Sequence, residues 1–211
     1  MGERPTLWQR IARSTAGSDY ATAYADRFRA AAARGEDIHG EARFVTRLLD
    51  PPGRVLDAGC GTGRIAVRLD ELGYDVVGVD VDEEMLAVAR AARPALDWRH
   101  GDLATLDLGE RFDLVLLAGN IVPLLEPGTL AEVCGRLAAH TTDSGNVVCG
   151  FGLEPAHLPG DCPVTPLSEV TAAMAAAGLV EAARFGTWDS GRFAEGAGYV
   201  VTVHARSQEG P

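Results

Sequence analysis

The segment from 54 to 72 constrains the possible fold more than any other part of this chain. Residues 54–58 (RVLDA) form a short, largely apolar stretch, glycines stand at positions 59, 61 and 63, and a helix is predicted over Ile65–Leu72. Glycines between a strand and a helix let a ligand approach the backbone, and the free N–H groups of the helix N-terminus favour a negative ligand group. We therefore expect an α/β protein with a nucleotide-type site at the carboxyl end of its first strand.

Predicted strands and helices alternate through the middle of the chain. Further strands are expected at Asp75–Asp80, Leu96–His100, Phe112–Ala118 and Gly145–Gly150, and helices at Glu83–Ala92 and Leu130–Ala139. Most of these strands are apolar throughout, which is typical of a parallel sheet that is covered on both faces. Right-handed crossover connections then leave few topologies and put the first strand near the centre of the sheet.

The end of the chain departs from this alternation. After a predicted helix at Leu167–Ala177, strands are expected at Leu179–Trp188 and Gly198–Ala205, joined by a glycine-containing connection at 189–196. Two successive strands without a helix between them predict an antiparallel hairpin. The expected fold is a Rossmann-like, doubly wound, mostly parallel seven-stranded sheet with a C-terminal antiparallel hairpin and an N-terminal helical cap.

The N-terminal segment is predicted to be helical. Ser18–Ala33 carries Tyr20, Tyr24 and Phe28 four residues apart, so that the three rings share one helix face. We interpret Tyr20 and Tyr24 as candidates for a substrate pocket, and Phe28 as a residue that packs this helix onto the sheet. The predicted organisation is a helical cap at 1–45, a ligand-binding domain at 46–206 and a disordered tail at 207–211.

Charge and cysteine content narrow the classes of partner. The net charge is −11, from 30 acidic and 19 basic residues, and such a field repels phosphate backbones and anionic membrane surfaces. We expect no nucleic-acid partner, no membrane association, no signal peptide and no transmembrane segment. The four cysteines at 60, 134, 149 and 162 have neither metal-ligand nor disulfide-framework spacing. We therefore expect no metal and a cytoplasmic location.

The glycine spacing and an acidic residue bear on the identity of the ligand. The turn reads G-x-G-x-G rather than the dinucleotide pattern G-x-G-x-x-G, and Arg64 stands where that pattern requires a small residue. Asp80, at the end of the second predicted strand, is placed to accept hydrogen bonds from both hydroxyls of a ribose. The alternative role for Asp80 is a helix cap, for which Asp82 is at least as well placed. An adenosine-containing ligand is therefore indicated.

Two further strand ends carry residues that are suited to the same site. Gly101-Asp102-Leu103 follows the third predicted strand, where a carboxylate can accept a hydrogen bond from an exocyclic amino group. A Gly-Asp pair is equally common in ordinary turns. We therefore include this motif because of its position after the third predicted strand. Ala118-Gly119-Asn120 ends the fourth predicted strand with small residues at the edge where ligands bind in open α/β sheets.

Taken in order, the motifs VLDAGCGTG, VVGVDVD, GDL and FDLVLLAGN resemble those of the class I S-adenosylmethionine-dependent methyltransferases, of the broad small-molecule type. The final YVVTVHAR resembles the last strands of that family. The resemblance implies that 46–206 binds S-adenosylmethionine, leaving S-adenosylhomocysteine after transfer, and that 1–45 covers the active site. It implies cofactor binding by Asp57, Gly59, Cys60, Gly61, Gly63, Asp80, Val81, Met85, Gly101, Asp102, Leu103, Ala118, Gly119 and Asn120.

The resemblance also implies a role for each group of these residues. The glycines of the turn would pass near the methionine part of the cofactor, and Asp57 would help to bind its amino group. Asp80 would hold the ribose, while the residues after the second and third strands would contact the adenine. Ala118, Gly119 and Asn120 would border the sulfonium and the acceptor.

The resemblance implies in-line methyl transfer to a small molecule, for which a general base is needed only if the acceptor is protonated and weakly acidic. His157 and Asn120 are the catalytic candidates, and His157, in the loop after the fifth predicted strand, is the candidate for a base by its location. Residues 120–123 (NIVP) lack the adjacent prolines and the aromatic residue of the relatives that methylate DNA or protein amides.

Two other functions remain open at this point. One is an NAD-type oxidoreductase on a similar sheet, which the glycine spacing and the terminal hairpin disfavour. The other is a non-catalytic module that binds a nucleoside. For the methyltransferase, the expected partner is a small-molecule acceptor, and the expected assembly is a monomer or a homodimer.

Overall fold

The computed structural model describes residues 5–207. The strands are β1 (Arg54–Ala58), β2 (Asp75–Asp80), β3 (Asp97–His100), β4 (Phe112–Leu117), β5 (Thr141–Gly152), β6 (Leu179–Phe185) and β7 (Tyr199–Arg206). The helices are α1 (Leu7–Ala16), α2 (Tyr20–Ala33), α3 (Gly40–Val45), α4 (Arg64–Glu71), α5 (Glu83–Ala92), α6 (Ile121–Leu124), α7 (Leu130–Ala139) and α8 (Leu167–Ala176). Residues 1–4 of the expected cap and 208–211 of the expected tail lie outside the described residues.

The seven strands form one sheet in the order β3-β2-β1-β4-β5-β7-β6. Neighbouring strands from β3 to β5 are parallel, whereas β7 runs antiparallel to both β5 and β6. The predicted doubly wound sheet with a C-terminal antiparallel hairpin is therefore confirmed. The winding direction reverses between β1 and β4, and this switch point is where open α/β sheets bind ligands.

The central strands are buried on both faces of the sheet. Leu56, Val77 and Val115 belong to the apolar core on one face, while Val55 and Val76 belong to the core on the other. Because both faces need apolar side chains, these strands are continuous apolar runs rather than alternating ones. The same burial fixes the strand ends in space, so the residues that follow β1, β2 and β4 are held on a rigid edge.

The differences from the predicted elements have identifiable causes. β5 begins at Thr141 rather than Gly145, because its first residues are polar and pair with β4 through a register shift, which gives no apolar signal. β6 ends at Phe185, and Trp188 lies beyond it, packed edge-on against Phe44. An aromatic residue in a loop extends a strand pattern in the sequence without belonging to the strand. The single-turn helix α6 is too short to produce a helical period.

The N-terminal helices lie over the carboxyl edge of the sheet. A capping box starts α1, in which Thr6 Oγ1 accepts a hydrogen bond from Gln9 N at 3.2 Å and Gln9 Oε1 accepts one from Thr6 N at 3.1 Å. α2 packs against both α1 and α5, so the pair is attached to the sheet domain through α5.

Residues 5–207 contain neither a membrane-spanning helix nor a cluster of metal ligands. No helix there combines the length and the apolar character needed to cross a bilayer. No group of three or more His, Cys, Asp and Glu side chains in the same range is arranged to hold a metal ion.

Candidate functional site

A cavity of about 470 Å³ lies at the carboxyl ends of β1, β2 and β4, beneath α1 and α2. This volume is within the range of small-molecule sites in proteins. The predicted site residues that line it are Tyr24, Gly59, Cys60, Gly61, Asp80, Val81, Met85, Asp102, Leu103, Ala118, Gly119, Asn120 and His157. The predicted site residues that do not line it are Tyr20, Asp57, Gly63 and Gly101.

The glycine turn after β1 serves two purposes. Gly59 and Gly61 line the cavity with positive φ angles of 84° and 56°, and a Cβ on Gly59 would lie 2.5 Å from Ile121 Cδ1. Gly63, with a φ of 80°, lies away from the cavity, where a Cβ would overlap the Trp98 ring. The first two glycines therefore keep the cavity open, while Gly63 allows α4 to pack closely on its neighbours.

The carboxylate of Asp80 joins the end of β2 to the glycine turn. Its Oδ2 accepts a hydrogen bond from Gly61 N at 2.7 Å, and its Oδ1 accepts one from Asp82 N at 2.8 Å. Burial raises the pKa of Asp80 to about 6, although the backbone hydrogen bonds oppose the shift. Each carboxylate oxygen can accept a second hydrogen bond, so Asp80 is placed to receive hydroxyl donors from a ligand in the cavity.

Asp57 occupies a different position from the one that the resemblance implies. Its carboxyl group is 1% exposed and does not line the cavity, and its Oδ2 has no hydrogen-bond partner among the described residues. Burial raises the pKa of Asp57 to about 7, with the negative charge of Asp80 adding to the shift. Asp57 thus lies beneath the cavity at the end of β1, where the backbone of Ala66 in α4 opposes the rise of its pKa.

Asp82 connects the roof of the cavity to the sheet domain. It caps α5 by accepting a hydrogen bond from Glu84 N at 3.0 Å, which confirms Asp82 as the capping residue. Its other oxygen accepts hydrogen bonds from Tyr20 Oη at 2.6 Å and from Trp8 Nε1 at 3.0 Å. Tyr20 is 2% exposed, and burial together with this hydrogen bond raises the pKa of its phenol.

The two aromatic pocket candidates of α2 are therefore separated by the fold. Tyr24 lines the cavity, and burial raises the pKa of its phenol. Placing Tyr20 in a substrate pocket was wrong, because that ring turns toward α5 and Asp82. The interpretation of Phe28 was also wrong, since Phe28 does not dock on the sheet but lines the cavity and packs against the Arg64 guanidinium, with Cζ 4.4 Å from the ring centroid.

A buried ion pair in the cavity wall does not follow from the sequence pattern. Arg64, at the start of α4, donates to both carboxylate oxygens of Glu41 on α3, with Nη–Oε distances of 2.6 and 3.0 Å. Both side chains are only 14% exposed. This is the bidentate geometry in which Arg–carboxylate pairs are strongest. No local spacing links the two residues, and the departure from the dinucleotide pattern at Arg64 is the one signal that points to this position.

The Asn120 side chain hydrogen-bonds the end of β4 to the last residue of β5 and to the loop that follows it. Its Oδ1 accepts a hydrogen bond from Gly152 N at 2.7 Å, and its Nδ2 donates to the backbone carbonyl of His157 at 3.0 Å. Its φ of 68° is in the left-handed region, which asparagine tolerates better than most residues. The Asn120 amide is thus engaged in a structural role, and it brings His157 to the cavity.

The residues after β3 contribute unequally. Asp102 lines the cavity with an exposed carboxylate whose Oδ1 accepts a hydrogen bond from Ala104 N at 2.9 Å, so this residue makes the turn as well as the site. Leu103 is buried beside it. Gly101 stays outside the cavity, and its N–H donates to the Asp80 carbonyl at 3.0 Å.

The mouth of the cavity is largely apolar. It is formed by α1, α6 and the loop after β5, with the side chains of Trp8, Ile121, Leu124, Leu125, Leu158 and Pro159. Glu126 lies at the rim, where its carboxylate accepts a hydrogen bond from Leu7 N and pairs with Arg10. The cavity therefore has a polar end beside Asp80 and an apolar end beneath α1.

Comparison with known proteins identifies similar chains. A family model described as a methyltransferase domain matches residues 55–145. A solved TehB-like S-adenosylmethionine-dependent methyltransferase from Corynebacterium glutamicum is 30% identical with a TM-score of 0.80, and the match covers 89% of this chain and 98% of that one.

Two further proteins extend this comparison. A dTDP-3-amino-3,6-dideoxy-alpha-D-glucopyranose N,N-dimethyltransferase from Streptomyces fradiae is 32% identical over 154 residues, which is 71% of this chain and 56% of that protein. The chain spans about half the length of the first curated relatives it matches. The glycopeptide N-methyltransferase MtfA, solved with S-adenosylmethionine, has a TM-score of 0.65 at 18% identity over 79% of this chain and 93% of that one, which shows the shared fold.

Proposed function

Since this chain belongs to the class I S-adenosylmethionine-dependent methyltransferases, we propose that it binds S-adenosylmethionine in the cavity and transfers the methyl group to a small-molecule acceptor. The observation that carries this proposal is the Asp80 carboxylate, held at the cavity wall by the N–H of Gly61 in the glycine turn. A carboxylate next to a glycine turn is suited to accept hydrogen bonds from the hydroxyls of a ribose.

The residues around the cavity fit the other parts of the cofactor. Gly59 and Gly61 leave open the volume that Cβ atoms would fill, so the chain can pass close to a ligand there. We assign the ribose to Asp80 and the adenine to the contiguous group of Val81, Met85, Asp102 and Leu103, all of which line the same cavity. The bound cofactor would supply a methyl group activated by a sulfonium leaving group.

The charged end of the methionine part needs both an anion and a cation. The Arg64–Glu41 pair lines the cavity beyond the glycine turn and offers one of each. We propose that Glu41 accepts from the amino group and that Arg64 donates to the carboxylate of the methionine part. Asp57, which the resemblance associates with the amino group, is buried away from the cavity and makes no direct contact in this assignment.

The protein's contribution to the reaction is mainly alignment. The residues that end β4, Ala118 and Gly119, offer no bulky side chain, so the methyl group and the acceptor can approach each other there. Holding two reactants in line can lower the activation barrier by roughly 7–11 kcal/mol in favourable cases. The roof formed by α1 and α2 limits the access of water to this part of the cavity.

The acceptor that fits this cavity is small. The mouth is apolar, the chain carries a net charge of −11, and the relative from Streptomyces fradiae is named for a nucleotide sugar bearing an amine. We propose a small organic acceptor and no nucleic-acid or membrane partner. We also propose a cytoplasmic location, which the four free, buried cysteines support, and a monomer or homodimer.

Calorimetry with S-adenosylhomocysteine and NAD tests this function. We expect the purified chain to bind S-adenosylhomocysteine and not NAD, and we expect mass spectrometry of the denatured protein to find any nucleoside that was retained during purification. Binding of NAD alone, or of neither compound, would overturn the proposal. A panel of amino sugars and phenols incubated with labelled S-adenosylmethionine then tests transfer. Tight cofactor binding with no transfer to any acceptor class would favour a non-catalytic nucleoside-binding module.

A further inference from the structure

His157 is held beside the cavity by two backbone hydrogen bonds and by a close contact between its ring and a carboxylate. Its backbone carbonyl accepts from Asn120 Nδ2 at 3.0 Å, and its backbone N–H donates to the carbonyl of Glu154 at 3.0 Å. Its ring Nδ1 lies 3.1 Å from Glu154 Oε1. A histidine in a surface loop is usually free to turn, whereas this one is fixed by its main chain and by its ring.

Two glycines make room for the pair of His157 and Glu154. A Cβ on Gly152, the last residue of β5, would lie 2.7 Å from the His157 carbonyl oxygen. A Cβ on Gly198, just before β7, would lie 2.5 Å from His157 Nδ1 and would overlap the Glu154 carboxylate. These residues lie on neighbouring parts of the sheet, because Leu153 N donates to the Gly198 carbonyl at 2.8 Å.

The contact with Glu154 decides which ring nitrogen can act as a base. A carboxylate oxygen 3.1 Å from Nδ1 favours the tautomer in which Nδ1 carries the proton, and in that tautomer Nε2 keeps its lone pair. No hydrogen bond to Nε2 is found within residues 5–207, and the side chain is 46% exposed. All five histidines fall within this range, and His157 is the one among them that lines the cavity.

From this geometry we propose that His157 is the general base of the methyl transfer and that Glu154 is the residue that positions it. The inference rests on the proposed function, since it needs the methyl group to lie near Asn120, Ala118 and Gly119. In chemical terms, a base oriented by a carboxylate next to the reacting centre is the arrangement that general-base catalysis requires.

The acceptor is therefore a molecule whose attacking atom carries a proton, such as a hydroxyl oxygen or a protonated amine. The lone pair of that atom forms the new bond to the methyl carbon, and the carbon–sulfur bond breaks with its electron pair going to sulfur. The proton of the attacking atom passes to Nε2 of His157. For a protonated amine this transfer comes first, because the nitrogen has no lone pair until the proton has left.

Nitrogen NMR of the histidine rings tests the orientation of the base. In ¹⁵N-labelled protein we expect His157, assigned by its loss in His157→Gln, to be the Nδ1–H tautomer. Glu154→Ala removes the acceptor and should mix the tautomers, and Glu154→Asp should retain part of the Nδ1–H form. Gly198→Ala keeps both side chains but displaces them and should also mix the tautomers. An Nε2–H tautomer in the parent protein would overturn the proposal.

Two cofactor analogues test the location of the base. Sinefungin carries an amine where the transferred methyl group would be, and S-adenosylhomocysteine has neither group. We expect the Nε2 resonance of His157 to differ between the two complexes, while that of His100, at the end of β3, stays the same. Identical His157 spectra in two saturated complexes would overturn this inference and leave the proposed function standing. If neither analogue binds, it is the proposed function that fails.

Discussion

The two sides of the cavity are built in different ways. The floor consists of Gly59, Gly61 and Asp80 at the carboxyl ends of β1 and β2, and its polar groups are buried and bonded to backbone. The roof consists of α1 and α2, and its outer contacts are ion pairs such as Arg13–Glu84, in which both side chains are nearly half exposed. The roof is also attached by a small buried cluster, in which Ala12, Tyr20 and Ala21 pack with Met85 of α5, and by the hydrogen bonds to Asp82.

Because of this difference, we expect the floor to determine how tightly a ligand binds and the roof to determine how fast it enters and leaves. Floor residues belong to the cooperative core, so their geometry persists for as long as the protein is folded. Exposed ion pairs contribute little stability each, and the apolar cluster under the roof is much smaller than the two clusters that cover the sheet. A segment with few buried apolar contacts opens at a lower free energy than the core. We therefore expect substitutions in or under the floor to change stability or cofactor affinity strongly, and substitutions in the roof to change mainly the rate of exchange.

Gly63→Ala should give the largest effect. The left-handed φ at this position disfavours any Cβ by roughly 1–2 kcal/mol, and the overlap with Trp98 adds roughly 1–3 kcal/mol. Urea denaturation measures the loss in free energy of unfolding. The matched control is Gly109→Ala, where φ is 66° but nothing lies within 4 Å of the added atom. Equal losses in the two variants would show that packing under the floor contributes nothing.

Asp57→Asn should stabilise the protein increasingly as the pH rises. Burial raises the pKa of Asp57 from 3.8 to about 7, so the folded state binds the extra proton across this window. Stability from this group is full below the unfolded pKa and is lost as the pH rises toward 7. The advantage of the variant over the parent should widen by about 2–3 kcal/mol between pH 5 and pH 8.

Parallel denaturation curves at the two pH values check this expectation. Asp143→Asn is the control, because that side chain is 87% exposed and its substitution should give no comparable change. A constant difference between Asp57→Asn and the parent would contradict the raised pKa of the buried Asp57 carboxyl group.

Asp80→Asn should weaken the binding of S-adenosylhomocysteine by about ten- to a hundredfold, because hydrogen bonds to a charged group contribute roughly 1.5–3 kcal/mol. Asn keeps one acceptor oxygen for the backbone and loses the charge. Calorimetry measures the change, with Asp75→Asn at the other end of β2 as the control. Unchanged affinity in Asp80→Asn would remove Asp80 from the ribose site.

Glu126→Gln should have the smallest effect and should act on the roof alone. It weakens the contacts of the rim with Leu7 and Arg10, and pairs of this kind contribute roughly 0.2–1 kcal/mol. We expect hydrogen exchange in α1 and dissociation of S-adenosylhomocysteine to speed up about two- to fivefold. Glu181→Gln, on the far edge of the sheet, is the control. A large loss of global stability would mean that the roof is part of the core.

The floor of the cavity could be predicted from the sequence because each of its parts is marked by a short run of residues. The glycines, the strand before them and Asp80 at the end of β2 each follow from a short run of residues. The parallel order of strands follows from apolar runs and the handedness of crossovers. The roof could be predicted only in part. Three aromatic residues at helical spacing predict a shared helix face, but they do not predict which residues each ring contacts.

The sequence by itself determined the sheet, the position of the glycine turn and the family to which the chain is similar, since these depend on patterns within a few residues. Only the tertiary structure decided that Arg64 pairs with Glu41 and that Asp57 is buried. It also decided that Glu154 contacts the His157 ring, in a space left open by Gly152 and Gly198. The physical reason is that each of these depends on how separate elements pack against one another, and side-chain packing is set in three dimensions by contacts that leave no periodic trace in the chain.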